Sequence, residues 1–581
     1  MSQRNEALAQ IFHTMADIYR LMGNNKFRAI AYQKASNVID GLPEDILYYI
    51  KTDSLDEIPG IGKTMEANIR EYVQTGRIAR FEKLKKEVPL GLVELMNISG
   101  FGPESLKLIH EKLKLETKEE VISALQDGRI ANLKGFGPKK VENLLRALKL
   151  HKTVEDRMLM WQALQAGNEI VAKLRLLPEV KQAELAGSLR RKKETIGDID
   201  ILIAASNTDR KRVIDYFTSS KVASKVLAKG ETKASIISKS IKRQVDLRIV
   251  KESEWGSALQ YFTGSKEHNI HLRTIAKNKG YKISEYGIFN LKNEKRVAGK
   301  TEEEIYQTLG MQWMPPEMRE DRGEIELARN HKIPALVDIK NIRGDLQMHS
   351  DWSDGLLTLE GMVKFVRENF RYEYIAITDH SKSSRIAGGM DEKGFLKQLS
   401  AVKAVNKNLG IDFLKAGAEV DILPDGSMDL SDEVLEQLEW VTASIHSGFK
   451  KDNTDRIIKA CENPYVHCIG HPTGRLIGKR EPYAFSFEDV ITAAKQTATA
   501  LEINAQPDRM DLNDEMAWQA REEGVMLVIS TDSHKSTDYY FMQSGVSVAR
   551  RAWCQPSDIL NTLSWNELQK FTSKKRKQMK K

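Results

Sequence analysis

The sequence predicts a chain of several domains: a helical N-terminal part, a mixed α/β middle and a C-terminal barrel of alternating strands and helices. Three observations predict it. The 581 residues exceed what one hydrophobic core usually holds. A short glycine turn recurs three times in the region before about Leu164, where apolar residues follow a helical period. After Asn341, a series of apolar runs each ends in a histidine or a carboxylate, with helical stretches between most of them.

Composition narrows the class. At 41% hydrophobic and 29% charged, the chain reads as globular rather than disordered. A net charge of +8 suits a nucleic-acid partner and equally suits ordinary solvated surface. The three cysteines, Cys461, Cys468 and Cys554, are too few and too odd in number for a disulfide framework, which points to a reducing compartment. The opening MSQRNEALAQIFHTMADIYRLMG follows an amphipathic helix and lacks the apolar core of a secretion signal. No apolar run is long enough to cross a membrane. A monomer in the cytoplasm, without a membrane partner, is expected.

The helical part comes first. Its repeats are "IPGIGKTMEANI", "ISGFGPESLKLI" and "LKGFGPKKVENLL". The glycine pairs Gly60 and Gly62, Gly100 and Gly102, and Gly135 and Gly137 allow positive φ and a close backbone approach. Each pair precedes a helix start, whose exposed N–H groups suit a phosphate; Lys63 follows the first pair. This is the helix-hairpin-helix pattern, which grips nucleic acid by its backbone without reading sequence. A DNA-binding unit is expected over 1–82 and a second over 83–150.

Next comes "AELAGSLRRKKETIGDIDILIA". The alternation of GDIDILI predicts a strand with Asp198 and Asp200 on one face. Neighbouring carboxylates repel unless something positive lies between them, and a divalent cation is the economical answer. Asp246 in "KRQVDLRIV" supplies a third carboxylate on another strand, enough for two magnesium ions and phosphoryl-transfer chemistry. The Gly187–Ser188 turn can offer N–H groups to a triphosphate, and Arg191 can pair with a phosphate oxygen.

These residues resemble the nucleotidyltransferase fold of family X DNA polymerases, the group that includes DNA polymerase beta. The likeness runs from the N-terminal helices to about Trp313 and is sharpened by "YFTGSKEHNIHLR". It implies a palm over 151–250, a thumb-like nucleotide-selecting unit over 251–315, and gapped or primed DNA and deoxynucleoside triphosphates as substrates. By this resemblance Tyr261 and Phe262 flank the sugar, with Tyr261 disfavouring a ribose 2′-hydroxyl, and Gly264 belongs to the same nucleotide-facing turn. Asn269 would reach the minor-groove edge of the incoming nucleotide, and Arg273 would lie near the templating strand. Asp198 and Asp200 would bind both metals, and Asp246 the catalytic one. One departure matters. Relatives of polymerase beta can remove a 5′-deoxyribose phosphate with a Schiff-base lysine, and the matching position here is Asn68, whose amide forms no imine. Lys63 and Lys26 remain for phosphate binding only, so little or no lyase activity by this route is expected.

Pro315, Pro316 and Pro334 mark 316–338 as a linker before a domain at 339–569. There the strand-end residues are Asp379 and His380, Glu419, His446, His471, and Asp532 with His534. His467 lies earlier in its run and is the weaker ligand candidate. "GDLQMHSDWSDG" opens the domain with Gln347, His349 and Asp354. This half looks like the PHP (polymerase and histidinol phosphatase) domain, a distorted β/α barrel with metal-dependent phosphoesterase activity. The family's motifs match at His349, Asp354, His380, Glu419, His446, His471, Asp532 and His534. The departure is Gln347, where the family has the first histidine of a His-x-His pair. An amide oxygen is a harder ligand than imidazole, so manganese is expected there more than zinc, with one ion held loosely. The resemblance implies a 3′–5′ exonuclease, with cleavage at abasic sites and removal of 3′-blocking phosphates as further activities. A basic tail is expected over 570–581, with "KKRKQMKK", Lys574 to Lys581, disordered and solvated. Two alternatives stay open: a nucleotidyltransferase acting on RNA or a small molecule, and a C-terminal domain that is inert and structural.

Overall fold

A computed structural model of the chain describes residues 3–23, 26–42, 44–58, 60–96, 98, 100–155 and 157–579. The glycine turns repeat one geometry. Gly60, Gly100 and Gly135 take φ of +91°, +92° and +89°, the left-handed region that favours glycine. Gly62 and Gly102 then adopt extended backbone and cap the helices Lys63–Thr75 and Pro103–Leu113 without a side-chain hydrogen bond. Gly137 precedes the helix Pro138–Glu155. A Cβ on Gly62, Gly102 or Gly137 would meet nothing within 4 Å, so all three turns face open space. Ile61, Phe101 and Phe136, each between its two glycines, are buried and pin the turn to the helices behind it. The two expected helical units share one apolar core, running from Leu8 to Leu148.

The palm is a five-stranded sheet: β1 (Gln182–Leu185), β2 (Ile199–Ala204), β3 (Ala223–Lys229), β4 (Lys233–Ser238) and β5 (Gln244–Val250), in the order β1-β2-β5-β4-β3. Only β2 and β5 pair in parallel; the other neighbours are antiparallel. The thumb carries β6 (Tyr281–Ser284), β7 (Gly287–Asn290) and β8 (Arg296–Ala298) as an antiparallel meander.

The expected linker 316–338 is folded, which corrects that expectation. It holds a 3-10 turn, Pro316–Met318, and the helix Glu324–Arg329, whose Ile325 and Ala328 join the thumb core. Arg319 is the reason: its fully buried guanidinium donates to Glu302 at 2.6 Å and to the Met314 carbonyl. A buried cation left unpaired would cost several kcal/mol, roughly, so the segment stays seated.

The C-terminal domain is a barrel of parallel strands: β9 (Gly344–Asp345), β10 (Tyr374–Ile377), β11 (Leu414–Asp421), β12 (Trp440–Ser444), β13 (Cys468–Ile469), β14 (Ala500–Asn504) and β15 (Leu527–Ser530), paired in sequence order. Every residue of these strands is buried, as helices over a parallel sheet require. Beyond the strand ends, His349 N–H donates to the Ser533 carbonyl and Asp532 N–H to the Gln347 carbonyl, which draws the first and last strands together. The tail is the second correction: residues 565–579 form a helix, and Lys575 is fully buried, donating to the Cys461 carbonyl at 2.9 Å and to Thr499. Lys580 and Lys581 lie outside the described residues. All three cysteines are free and buried.

Palm and barrel share one apolar cluster, from Met158 to Ile559, and Trp161 meets Phe541 edge to face at 5.2 Å. The helical domain is held more lightly. Asp40 pairs with Lys535 at the barrel rim, and Leu356 packs on the helical core. Toward the palm it faces a cleft of about 540 Å³ lined by Glu6, Lys173 and Lys221.

Candidate functional site

The first centre forms where β2 and β5 run side by side. Asp200 and Asp246 are direct partners in that parallel pairing, and Asp198 lies two residues before Asp200, just ahead of the strand. Burial pushes the Asp200 carboxyl up to about 7, and the neighbouring Asp198 and Asp246 add to the effect. Gly187 (φ +58°) lies against it: a Cβ there would come within 2.0 Å of the Asp200 Oδ2 atom. The glycine is therefore required by contact as well as by conformation. Ten of the expected residues line one cleft of about 380 Å³: Asp198 and Asp200 with Gly187, Ser188, Arg191, Tyr261, Phe262, Gly264, Asn269 and Arg273. Thr263 and Lys266 join them, unremarked in the sequence.

Asn269 ties the wall together, donating to the Tyr261 carbonyl at 2.8 Å and accepting from Gln260 at 2.7 Å. The Arg273 Nε donates to the Asn269 carbonyl. Two residues escaped the sequence reading. Gln244 donates to both Asp246 oxygens at 3.2 Å, and Arg248 stands 5.3 Å over the Phe262 ring and opposes the charge of Asp200. Both share the face of Asp246, two residues to either side, so the alternation that selects Asp246 also marks them. In the helical domain, Asn68 is buried and donates to the Tyr32 hydroxyl at 2.9 Å. Borohydride reduction on a 5′-deoxyribose phosphate end is expected to trap no adduct through this position; a covalent species that vanishes in Asn68→Ala would overturn this.

The second centre lies at the C-terminal ends of the barrel strands. Glu419 on β11 is its hub: Oε1 meets His471 Nε2 at 2.9 Å and His446 Nε2 at 3.5 Å, while Oε2 meets His380 Nδ1 at 3.1 Å and His349 Nε2 at 3.5 Å. Asp532 meets His349 at 3.1 Å, and Asp354 meets His534 at 3.4 Å. Three overlapping sets bring their ligand atoms within 4.8 Å of one another: His349, Asp354, His380 and His534; His380, Glu419 and His446; and His349, Glu419 and Asp532. His471 touches Glu419 but stands outside these sets. Gln347 is fully buried beneath, and neither atom of its amide has a hydrogen-bond partner. Such orphaned polar atoms are costly, and they fit a site built for a cation or its water. His349 and His471 likewise leave Nδ1 unpartnered.

Charge points the same way. Burial would raise Asp354, yet the imidazoles around it, His534 foremost, hold it down to about 2. Burial would lower His534, yet Asp354 lifts it to about 10. Burial drives His380 down to about 4. His534, as an imidazolium, thus balances carboxylate charge while His380 stays neutral, a balance that divalent cations take over in a loaded site. His471 (φ +26°) and Asp532 (φ +50°) both hold strained backbone, a cost of roughly 1–3 kcal/mol each.

Supporting residues complete the picture. Asp421 accepts from His446 Nδ1 at 2.9 Å, which turns Nε2 of that ring toward Glu419. Asp379, though a strand-end carboxylate, is no part of the cluster: it accepts from Ser350, Ser353 and Gln398 and braces the loop bearing Asp354. His467 accepts from the Val441 N–H and stacks on Trp440, a structural role. A cleft of about 720 Å³ opens over the cluster, with Arg385 and Arg509 in its wall.

Comparison with known proteins agrees with both halves. Family models match as helix-hairpin-helix domain (3–78), SAM-like helix-hairpin-helix tandem (92–150), DNA polymerase beta palm (162–270) and DNA polymerase beta thumb (258–320). The chain is 35% identical to "DNA polymerase/3'-5' exonuclease PolX" of Bacillus subtilis (strain 168), over 97% of this chain and 98% of that one. It is 24% identical to DNA polymerase lambda of Arabidopsis thaliana over 54% of this chain and 62% of that one. A probable phosphatase of Thermoanaerobacter sp. (strain X514) is 31% identical over 36% of this chain and 89% of its own length. No helix among the described residues is long and apolar enough to cross a membrane. Helical, palm and thumb matches in this order, together with identity to PolX along nearly the whole length, show that the chain belongs to the family X DNA polymerases, in the branch that carries a C-terminal PHP barrel.

Proposed function

We propose that the chain fills short gaps in DNA with its palm and hydrolyses 3′ ends with its barrel. The observation that carries the polymerase half is the pairing of Asp200 with Asp246 beside a cleft that also holds Arg191 and Tyr261. Asp198, Asp200 and Asp246 would hold magnesium; the barrel ligands, Gln347 included, would hold manganese. When bound, such cations neutralise phosphoryl charge and make a hydroxyl or water more acidic. The chain's own residues do the rest. The N–H groups of the Gly187–Ser188 turn and the Arg191 guanidinium orient the triphosphate, and Tyr261 and Phe262 pack the sugar. Gln244 fixes Asp246 by donating to both of its oxygens. The glycine turns hold the duplex by its backbone on either side of the gap, with Lys63 adding charge. In the barrel, Asp421 keeps the proton on His446 Nδ1, and Arg509, 3.7 Å from Asp532, is placed to receive a phosphate. Trimming an end the palm cannot extend, then extending it, is the joint task.

Extension of a gapped duplex with deoxy- and ribonucleotides tests the reading. The protein is expected to prefer deoxynucleotides, and Tyr261→Ala to lower that preference by about tenfold or more. A wild-type preference for ribonucleotides would favour the alternative of a nucleotidyltransferase acting on RNA or a small molecule.

A further inference from the structure

One chain of charges crosses from the barrel into the nucleotide cleft. It begins at Asp514, at the head of the barrel helix Asp514–Glu522. The Arg551 guanidinium, at the end of the helix Met542–Arg551, donates to Asp514 at 2.7 Å and to Glu320 Oε1 at 2.9 Å. It also donates to the main-chain carbonyl of Arg191 at 2.8 Å. Glu320 Oε1 in turn accepts from the Arg191 Nε at 3.1 Å, and Lys193 stands 3.5 Å from the other oxygen. The Arg191 side chain is thus held at two points, Nε on Glu320 and Nη1 on the Thr263 carbonyl, beside the cleft it shares with Asp198 and Asp200.

Arg551 is only 4% exposed. A buried guanidinium that spans two carboxylates and a carbonyl has little freedom, so it transmits position. It also shares Glu320 with Arg191. A carboxylate bound to one guanidinium alone holds it tightly; a carboxylate divided between two leaves each more available to a competing anion. The barrel therefore meets the palm at this arginine through residues that are no part of its own ligand sets.

We propose that Arg551 of the barrel is a positioning residue for DNA synthesis: through Glu320 and the Arg191 carbonyl it sets the Arg191 guanidinium for the triphosphate of the incoming nucleotide. This rests on the assignment of Arg191 to the triphosphate. The palm of this chain accordingly needs its barrel for tight nucleotide use, whether or not the barrel is hydrolysing anything.

Steady-state kinetics on full-length protein test it, with tripolyphosphate as a probe of the phosphate site alone. Arg551→Ala is expected to raise KM for deoxynucleotide and Ki for tripolyphosphate together, by about tenfold. KM for primed DNA and the rate of 3′-end hydrolysis are expected to stay within about twofold of wild type. Arg551→Lys keeps the charge but cannot span all three partners, so it is expected to fall between the two; it also carries the test if Arg551→Ala fails to fold. Arg191→Ala is the control. If it raises KM and the Arg551 variants do not, the coupling is refuted and the reading of Arg191 survives. If Arg191→Ala leaves KM and Ki unchanged, both fall. A rise in KM for DNA in proportion to that for nucleotide would also overturn the proposal, since it would mark general loosening of the domains.

Discussion

Replacing Asp200 by alanine is expected to lower nucleotide incorporation by about three to five orders of magnitude, with the fold intact and 3′-end hydrolysis unchanged. Asp200 lies between Asp198 and Asp246, with the Gly187 backbone pressed against it. A carboxyl whose proton affinity is raised to about 7 by burial and by two like charges is under electrostatic strain when ionised and alone. Its removal ends its own repulsion with Asp198 and Asp246, so the thermal midpoint should hold or rise while activity collapses. That opposition distinguishes a residue retained for chemistry from one retained for packing. Primer extension on a gapped duplex, together with a melting curve, checks both halves. Near-normal extension by the variant would remove Asp200 from the reaction; a large drop in melting temperature would make the loss of activity uninformative about it.

Glu419→Gln is expected to lower 3′-end hydrolysis by about three orders of magnitude and to reduce manganese bound by the purified protein, while synthesis persists. The substitution is nearly isosteric but removes the charge that faces four imidazoles, His349, His380, His446 and His471. No other carboxylate of the cluster reaches both the His446 side and the His349 side in the ligand sets. An amide there would also turn an N–H donor toward rings that must present lone pairs to a metal. Metal analysis paired with a labelled 3′ end reads the outcome. If wild-type protein binds manganese but degrades no 3′ or abasic end, the barrel is a structural module. If Glu419→Gln keeps both metal and hydrolysis, the hub has been misplaced.

Much of this was legible from residue order. Period-two alternation put Asp246 on a strand face, and the same pattern marks Gln244, Arg248 and, two residues after Glu419, Asp421; each is a short step from a residue already singled out. The glycine turns were readable because a left-handed φ recurs where only glycine is comfortable. What escaped depends on partners distant in the chain. Nothing near Arg319 announces Glu302, and nothing near Arg551 announces Glu320 or Asp514. Asp379 resembles a ligand by position, and only the hydroxyls of Ser350 and Ser353 show that it is spent on a loop. Lys575 misled because a run of lysines usually solvates. Yet Leu568, Thr572 and Lys575 fall on one helical stripe, and that stripe is the buried one.

The light mooring of the helical domain has a mechanical outcome. A single ion pair at the rim such as Asp40 with Lys535, its side chains 35% and 22% exposed, contributes about 1 kcal/mol, and salt weakens it further, whereas palm and barrel are fused through a continuous interior. Two reaction mouths thus share one body, and a helical domain that held the duplex, as proposed above, would be the part able to swing at little cost. Carrying a frayed terminus from the synthetic mouth to the hydrolytic one would then demand no rebuilding of either: the DNA would travel with its holder while the chemistry stood still.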